Sequence, residues 1–470
     1  MVVAVVLAGG EDKRLYPLVT DSVKALVPVG NVPLLHYPLR QLAEAGLRKA
    51  LVVVCGEKPA AMVGAWIAQE YSNDGDTGLA CEVVTVPEDC GTADALRAVA
   101  PRITSSHFIV LSEDVVTDIP VNALLASHQM HGALTTVTLV PCKTSPSSET
   151  KPGKAPKGVD YIGMDPNSEY LLYYASSTEA LRDLKLPMSL VRQHGSMTIK
   201  SDLVDAHVYV FSRQLLAILE SQTKLTSISH DLLPYLTQQQ LRLRQTKSAI
   251  VRASSGFLSD TLAKEMADLP GGGAAVRPLP GDRYLDMSHA RHLAGNGPGE
   301  LGAPAGAVSG LMRVHVVDPA TNYCSRVCDV RTYGEVNREV ADPTTALHLT
   351  GQKPSKYDNV VSPSAVLGSK TTVAAACIVG DACELGDRSS IKRSVLGARV
   401  RLGANVKVIN SVLMDGVTVG DGCTIQNSIL CSGVQLKEKT SLKDCQIGAG
   451  FAVAGGVEYK GEVLAKGQPK

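Results

Sequence analysis

Residues 389–405 read SSIKRSVLGARVRLGAN, residues 406–422 VKVINSVLMDGVTVGDG, residues 423–439 CTIQNSILCSGVQLKEK and residues 440–456 TSLKDCQIGAGFAVAGG. Placed one above another, they fall into a single register with a fixed step of seventeen. Ile391, Val408, Ile425 and Leu442 form one apolar row, and Leu396, Leu413, Leu430 and Ile447 a second. Val400, Val417, Val434 and Phe451 form a third, and Leu402, Val419, Leu436 and Val453 a fourth. Ser394, Ser411 and Ser428 keep the same step, with Cys445 completing the set. Aliphatic rows five or six positions apart, interleaved with Gly, Asn and Asp, are the pattern of a parallel β-helix of hexapeptide-type repeats with three short faces per coil. Seventeen is three hexapeptides less one residue. Inward side chains then stack on their equivalents about 4.8 Å away, so each coil buries its row only because its neighbours exist. Ile378, Val379 and Leu385 extend the register one coil earlier, and Val361 and Val366 one before that. The expectation is a left-handed parallel β-helix of five or six coils over residues 361–460.

Such a β-helix serves as an assembly surface, through its open end and flat faces, or as an acyltransferase scaffold. Hexapeptide acyltransferases place a catalytic His at coil junctions, and no His follows His348. The assembly surface is therefore the expectation.

Upstream the periodicity changes. Val2–Leu7, Ala50–Cys55, Glu82–Val86, Phe108–Leu111, Leu134–Val140 and Ala206–Phe211 are short β-branched runs, and helical stretches at Leu35–Ala45 and Lys58–Tyr71 separate the first of them. This alternation predicts an α/β domain over residues 1–245, a doubly wound, mostly parallel sheet with helices on both faces. Ser145–Gly158 (SPSSETKPGKAPKG) has almost no apolar side chain and reads as an exposed, mobile insert. Residues 246–360, rich in Pro, Gly and Ala at 269–281 and 295–310, read as an irregular connection. Within it, Met312–Val317 and Tyr323–Val330 read as a hairpin or short strand pair.

Lys+Arg and Asp+Glu both count 46, so no global field draws this chain to nucleic acid or to an anionic membrane. Eleven cysteines without CxxC spacing, in a chain of 470 residues with no secretory leader, read as reduced thiols, and no structural zinc is expected. No apolar run approaches the roughly 20 residues of a membrane span. A cytosolic protein is expected.

The first strand opens into Ala8-Gly9-Gly10, a glycine turn of the kind that lets backbone N–H groups approach a phosphate. Arg14, Pro17-Leu18, Lys24 and Pro28-Val29-Gly30-Asn31-Val32-Pro33-Leu34 follow. Together these resemble the signature of the sugar-phosphate nucleotidyltransferases. Gly91-Thr92-Ala93 is similar to that family's segment beside the base, and Leu111-Ser112-Glu113-Asp114 to its metal-aspartate strand end. The resemblance thus marks Gly9, Gly10, Arg14, Lys24, Gly91, Thr92 and Asp114 as a remnant nucleotide or phosphate site. Its departures fall where the chemistry lives. The family's glycine against the triphosphate is Asp12 here, followed by Lys13, and Val23-Lys24-Ala25 replaces Pro-Lys-Pro. A carboxylate about 4 Å from a phosphate costs on the order of 4 kcal/mol at an effective dielectric constant of about 20. No counterpart of the second metal-binding aspartate is found, nor a Glu-Lys-Pro segment for a sugar phosphate. Phosphoryl transfer needs metal and cationic clamps to hold like charges together. The expectation is accordingly no catalytic residue, no bound metal and no cofactor. His128 with His131, and His289 with His292, are spaced for one helix face but lack a third ligand, and read as surface residues.

A transferase-like domain with altered phosphate residues, joined to a β-helix, resembles the gamma-subunit family of translation initiation factor 2B. The stretches that carry this are Lys24–Asn31, Asp89–Arg97, Leu111–Asp118, Leu203–His207, Thr226–Leu236, Cys324–Val327 and Ser389–Val395. The resemblance implies a non-catalytic subunit of a guanine-nucleotide exchange factor, partnered by epsilon and by alpha, beta and delta subunits and acting on initiation factor 2. The family's epsilon subunit carries an added helical domain, which is expected to be absent because the chain stops at Lys470. The competing expectations are an active sugar-1-phosphate nucleotidyltransferase of the mannose-1-phosphate type and a regulatory subunit of one.

Overall fold

The computed structural model describes residues 2–9, 13–20, 22–71, 78–142, 160–175 apart from 168, a few of 186–191, 196–240 and 312–465. Residues 1–237 with 310–470 form one compact unit. The insert at 145–158 and the stretches 269–281 and 295–310 lie outside the described residues.

In chain order the first part contains β1 (Val3–Leu7), α1 (His36–Glu44), β2 (Lys49–Cys55), α2 (Glu57–Glu70), β3 (Ala80–Val86), α3 (Thr92–Val99), β4 (His107–Ser112), β5 (Val115–Thr117), α4 (Val121–Met130), β6 (Thr135–Pro141), β7 (Leu203–Ser212) and α5 (Gln214–Ser221). After the gap come β8 (Met312–Val316), β9 (Cys324–Arg326) and α6 (Val330–Val340). Seven strands form one mixed sheet in the order β8-β6-β7-β4-β1-β2-β3. All neighbours in it run parallel except β7, which is antiparallel to both β4 and β6. Val5, Val6, Val52, Ile109, Val110 and Val210 are completely or almost completely buried, as expected for central strands covered on both faces.

The two runs read as a strand pair do not pair with each other. Met312–Val316 extends the main sheet, parallel to β6, and Cys324–Arg326 pairs antiparallel with β5. Each has its partner far upstream, before the long gap, which local sequence cannot reveal. The irregular reading also missed α6. Asp329 caps it, its Oδ1 accepting from Thr332 N at 2.7 Å while Thr332 Oγ1 accepts from Asp329 N at 3.0 Å. This is the reciprocal N-terminal bond pair of a capping box, with Thr in the third position. Val330, Tyr333, Val336 and Val340 then form the buried stripe.

The β-helix begins at Val360–Val361 and continues to Val463–Leu464 as three parallel sheets of seven, six and six short strands. In the first coil Val360 pairs with Ile378; later coils are one position shorter, Ile378 pairing with Val395. The position saved lies at the corner after the third face, where Ser390–Lys392 leads directly to Val395–Leu396. Inside, Ile391, Val408, Ile425, Leu396, Leu413 and Leu430 have no exposed surface. The serine row is a hydrogen-bond ladder: Ser411 N donates to Ser394 Oγ at 3.1 Å, Ser428 N to Ser411 Oγ at 3.2 Å and Cys445 N to Ser428 Oγ at 3.1 Å. Among the described residues no two cysteines form a disulfide.

One β-helix face is covered by the first part of the chain. Ile378, Val395, Val412 and Ile429 point outward from it, yet each is buried in a cluster with Leu15, Leu18, Val29, Leu34, Tyr333, Val336 and Val340. Each such side chain contributes about 1.5–3 kcal/mol on burial. The stretch Pro28–Pro33 makes the joint. It is a two-residue hairpin whose central residues, Gly30 and Asn31, have φ of 57° and 65°, matching the strand twist. Gly30 N donates to Asn337 Oδ1 at 2.9 Å, and Asn31 Nδ2 donates to Leu396 O at 2.6 Å. A Cβ on Gly30 would lie 2.6 Å from Val340 Cγ1, so the turn and the contact both require glycine.

Replacing Ile425 with Ala should cost about 2–5 kcal/mol in urea unfolding monitored by circular dichroism, because a closed coil cannot collapse around the void; a cost under about 1 kcal/mol would mean the interior is loosely packed.

Candidate functional site

The resemblance drew attention to the carboxyl ends of β1 and β4, which are neighbours in the sheet. Glu113 N donates to Leu7 O at 3.0 Å, so the turn at Ala8-Gly9 and the Glu113-Asp114 step leave the sheet side by side. Gly10 and Asp12 lie outside the described residues. Gly9 has a packing reason to be glycine, since a Cβ there would stand 2.4 Å from Cys55 Sγ at the end of β2. Arg14 is exposed on the following turn.

Asp114 is the centre of the site. It is 1% exposed, and Lys24 Nζ donates to its Oδ2 at 2.9 Å. Arg326 approaches from β9, Nη2 to Oδ2 at 3.1 Å and Nε to Oδ1 at 3.3 Å. Burial alone would raise the pKa of this carboxyl, but the charges of Arg326 and then Lys24 outweigh it and hold the pKa far below the ordinary carboxylate range. Arg326 itself is held above its ordinary range: burial opposes its charge, and Asp114 more than compensates.

The network continues beneath Arg326. Tyr209 OH donates to Asp205 Oδ2 at 2.5 Å and His207 N to Asp205 Oδ1 at 2.8 Å. A bulge in β7 between Asp205 and Tyr209, with His207 at φ 55°, turns that N–H toward the carboxylate. Burial is the main cause that lifts Asp205 to about 6, against the two hydrogen bonds and Arg326.

A divalent metal in this family's position would need oxygen lone pairs of Asp114. Both oxygens already accept from cations and the group is closed to water, so the residues do not fit a metal there. Elsewhere among the described residues, no three His, Cys, Asp or Glu side chains are grouped to hold one.

Gly91 and Thr92 belong to a different element from the triad. They open α3, against residues 226–228: Ala93 N donates to Thr226 O at 2.8 Å, and Ile228 N to Thr92 Oγ1 at 2.9 Å. A Cβ on Gly91 would be 2.2 Å from Thr226 O. The Gly-Thr-Ala segment therefore has protein against it. Arg97, ion-paired with Asp94, ties the same loop down through Leu219 O at 2.8 Å, Leu225 O at 3.0 Å and Gln222 O at 3.1 Å.

Sequence reading leaves Lys24 open between a weak anion site and a structural ion-pair partner, and one other reading, that of His128, changes. Lys24 is an ion-pair partner of Asp114 in the folded chain. His128 is not a surface residue: it is fully buried on α4, Nδ1 2.8 Å from Thr136 Oγ1, and its ring meets His107 edge-on at 5.1 Å between centroids. Burial, with a smaller effect of His107, depresses its pKa to about 4. His289 and His292 lie outside the described residues. Arg326 is the residue to which sequence reading gave no role. Its segment was noticed, but its partner is 212 positions away and no local spacing joins the two.

Comparison with known proteins agrees with this layout. Residues 3–150 match the family model for nucleotidyl transferase, and residues 357–459 the model for the EIF2B subunit epsilon LbH domain. The chain is 30% identical over 465 residues to translation initiation factor eIF2B subunit gamma of Schizosaccharomyces pombe, covering 98% of this chain and 89% of that protein. It belongs to the eIF2B gamma-subunit family. The Dictyostelium discoideum eIF2B gamma subunit is 25% identical over 401 residues, 82% of this chain and 84% of its own length. Mannose-1-phosphate guanyltransferase of S. pombe is 28% identical over 233 residues, 49% of this chain and 54% of that protein. The eIF2B gamma resemblance thus spans both parts, and the transferase resemblance about half of the chain. Among the described residues no helix is long and apolar enough to cross a membrane.

Replacing Asp114 with Asn leaves Lys24 and Arg326 facing each other across a neutral amide, and should cost about 3–5 kcal/mol in urea unfolding; a loss below about 1 kcal/mol would show that the triad does not hold the segments together. His128 carries a pH effect. Its folded pKa near 4 lies below the unfolded value of 6.5, so stability is present above pH 6.5 and is lost as pH falls toward 4. Asp205 acts oppositely, favouring the fold below pH 3.8 and losing that contribution as pH rises through about 6. The difference between wild type and His128→Asn in melting temperature, scanned from pH 7 to 4, isolates the histidine. The wild type should fall more steeply, and parallel curves would refute the assignment.

Proposed function

We propose that this chain is a non-catalytic gamma-type subunit of a translation initiation factor 2B assembly. In that reading it supports nucleotide exchange on initiation factor 2 together with an epsilon-type subunit, in the cytosol, with alpha, beta and delta subunits in the same complex. The observation that carries it is the Lys24–Asp114–Arg326 triad. The one carboxylate that the transferase resemblance offers for a metal is spent on two internal cations. Family membership over nearly the whole chain supports the choice of assembly.

The remnant site at Gly9, Gly10, Arg14, Lys24, Gly91, Thr92 and Asp114 is, in this reading, retained as structure. Gly9 packs against Cys55 and Gly91 against Thr226, and the two ion pairs of Asp114 close the strand ends.

The tests are the mass and composition of the native complex, together with pyrophosphate release from GTP and ATP across sugar 1-phosphates. A multi-subunit particle containing an epsilon-type chain, and no turnover above background, is expected. Robust turnover, or recovery of a mannose-phosphate transferase without initiation factor 2, would overturn the proposal.

A further inference from the structure

The three faces of the β-helix differ on the outside. One is buried under the first part of the chain, and its outward column is apolar accordingly. A second carries Glu384, Arg401, Thr418, Gln435 and Ala452, with Arg401 and Glu384 paired across adjacent coils at 3.4 Å. The third consists of strands 372–373, 390–392, 407–409, 424–426, 441–443 and 458–460. Ile391, Val408, Ile425 and Leu442 point inward from it, so the flanking positions face out. Four of those are exposed lysines, Lys392, Lys407, Lys443 and Lys460, against one carboxylate, Glu458. Arg393, exposed at the adjoining corner, makes a fifth cation; the equivalent corner position three coils on is the carboxylate Asp444, which accepts from Asn427 Nδ2 at 3.1 Å.

Among the described residues none of these five cations makes an ion pair, whereas the second face neutralises its own charges. Lys443 and Lys460 are direct register partners, an arrangement of like charges that is destabilising by itself. Arg338 of α6 adds to the same corner, with Nη1 3.5 Å from Asn410 O. Lysines often guard exposed sheet edges. Lys392, Lys407 and Lys443, however, stand on strands paired on both sides, where there is no edge to guard.

We propose that this lysine face docks an acidic surface of a partner protein. Carboxylates stepped at the coil spacing of about 4.8 Å, or multiples of it, would meet Lys443 and Lys460 on adjacent coils and Lys392 three coils away. The other outward residues, Ser390, Ile409, Thr424, Gln426 and Ser441, are short or uncharged, and the face presents no aromatic platform on which a base could stack, Tyr459 falling in the inward row. Single-stranded RNA readers rely on such platforms.

The full chain is titrated with a fluorescent oligoglutamate dodecamer and, separately, with a dodecameric oligouridine RNA, at 50 and 200 mM KCl. Oligoglutamate binding is expected, weakening at least tenfold between the two salts and lost in the variant K392E/K443E/K460E, while R401E on the neighbouring face keeps it. The three positions are exposed, and circular dichroism should show the variant folded. No oligoglutamate binding, binding that survives the triple reversal, or binding of the RNA alone would overturn the proposal. A second arm rests on the assembly reading: the triple variant should recover less of the native complex than wild type at 150 mM KCl. Equal recovery counts against the docking face. If the wild type recovers no complex, it is the assembly reading that fails, and the oligoglutamate titration decides the face alone.

Discussion

The carboxylate of Asp114 ties together three segments far apart in the chain: the turn after Leu18 through Lys24, the end of β4 through its own backbone, and the stretch after the long gap through Arg326. A buried carboxylate is tolerable only if it is paired, and Lys24, the first cation, reaches Oδ2 alone. Arg326 supplies the second, and its position on β9 is set by pairing with β5, directly after Asp114. The charge centre thus holds β9 beside β5. From there α6 follows within a few residues, and α6 is what the β-helix packs on.

The same residues therefore answer two questions. The transferase resemblance puts Lys24 and Asp114 at phosphate and metal positions. Here they are turned on each other, and the hairpin Pro28–Pro33 immediately downstream is committed to the β-helix through Gly30 and Asn31. A signature that reads as nucleotide chemistry has become the joint between the two parts of one compact unit.

The β-helix was legible because its period is written locally: each inward position recurs at a fixed step in the next coil, and the serine ladder stands in the sequence as a row. The parallel sheet was legible for a similar reason, since fully covered strands are continuous apolar runs. What escaped was non-local. Met312–Val316 and Cys324–Arg326 looked like partners because they are neighbours in sequence, but each had a better partner on the far side of the long gap. Arg326 is the plainest case, as nothing around it in sequence marks a buried counter-charge. His128 misled in the opposite direction, since a helical His spaced from another His looks exposed until the strands bearing His107 and Thr136 are placed beside it. The α6 start, by contrast, could have been found from Asp329 and Thr332 followed by Val330, Tyr333, Val336 and Val340 at helical spacing.

The account stands on Asp114 being closed to metal. Electron paramagnetic resonance of Mn²⁺ titrated into the full chain with excess GTP measures this most directly. The spectrum should show only the Mn²⁺ that GTP binds in buffer alone, unchanged in an Asp114→Asn protein that remains folded. One additional Mn²⁺ per chain in the wild type, lost in Asp114→Asn, would contradict it.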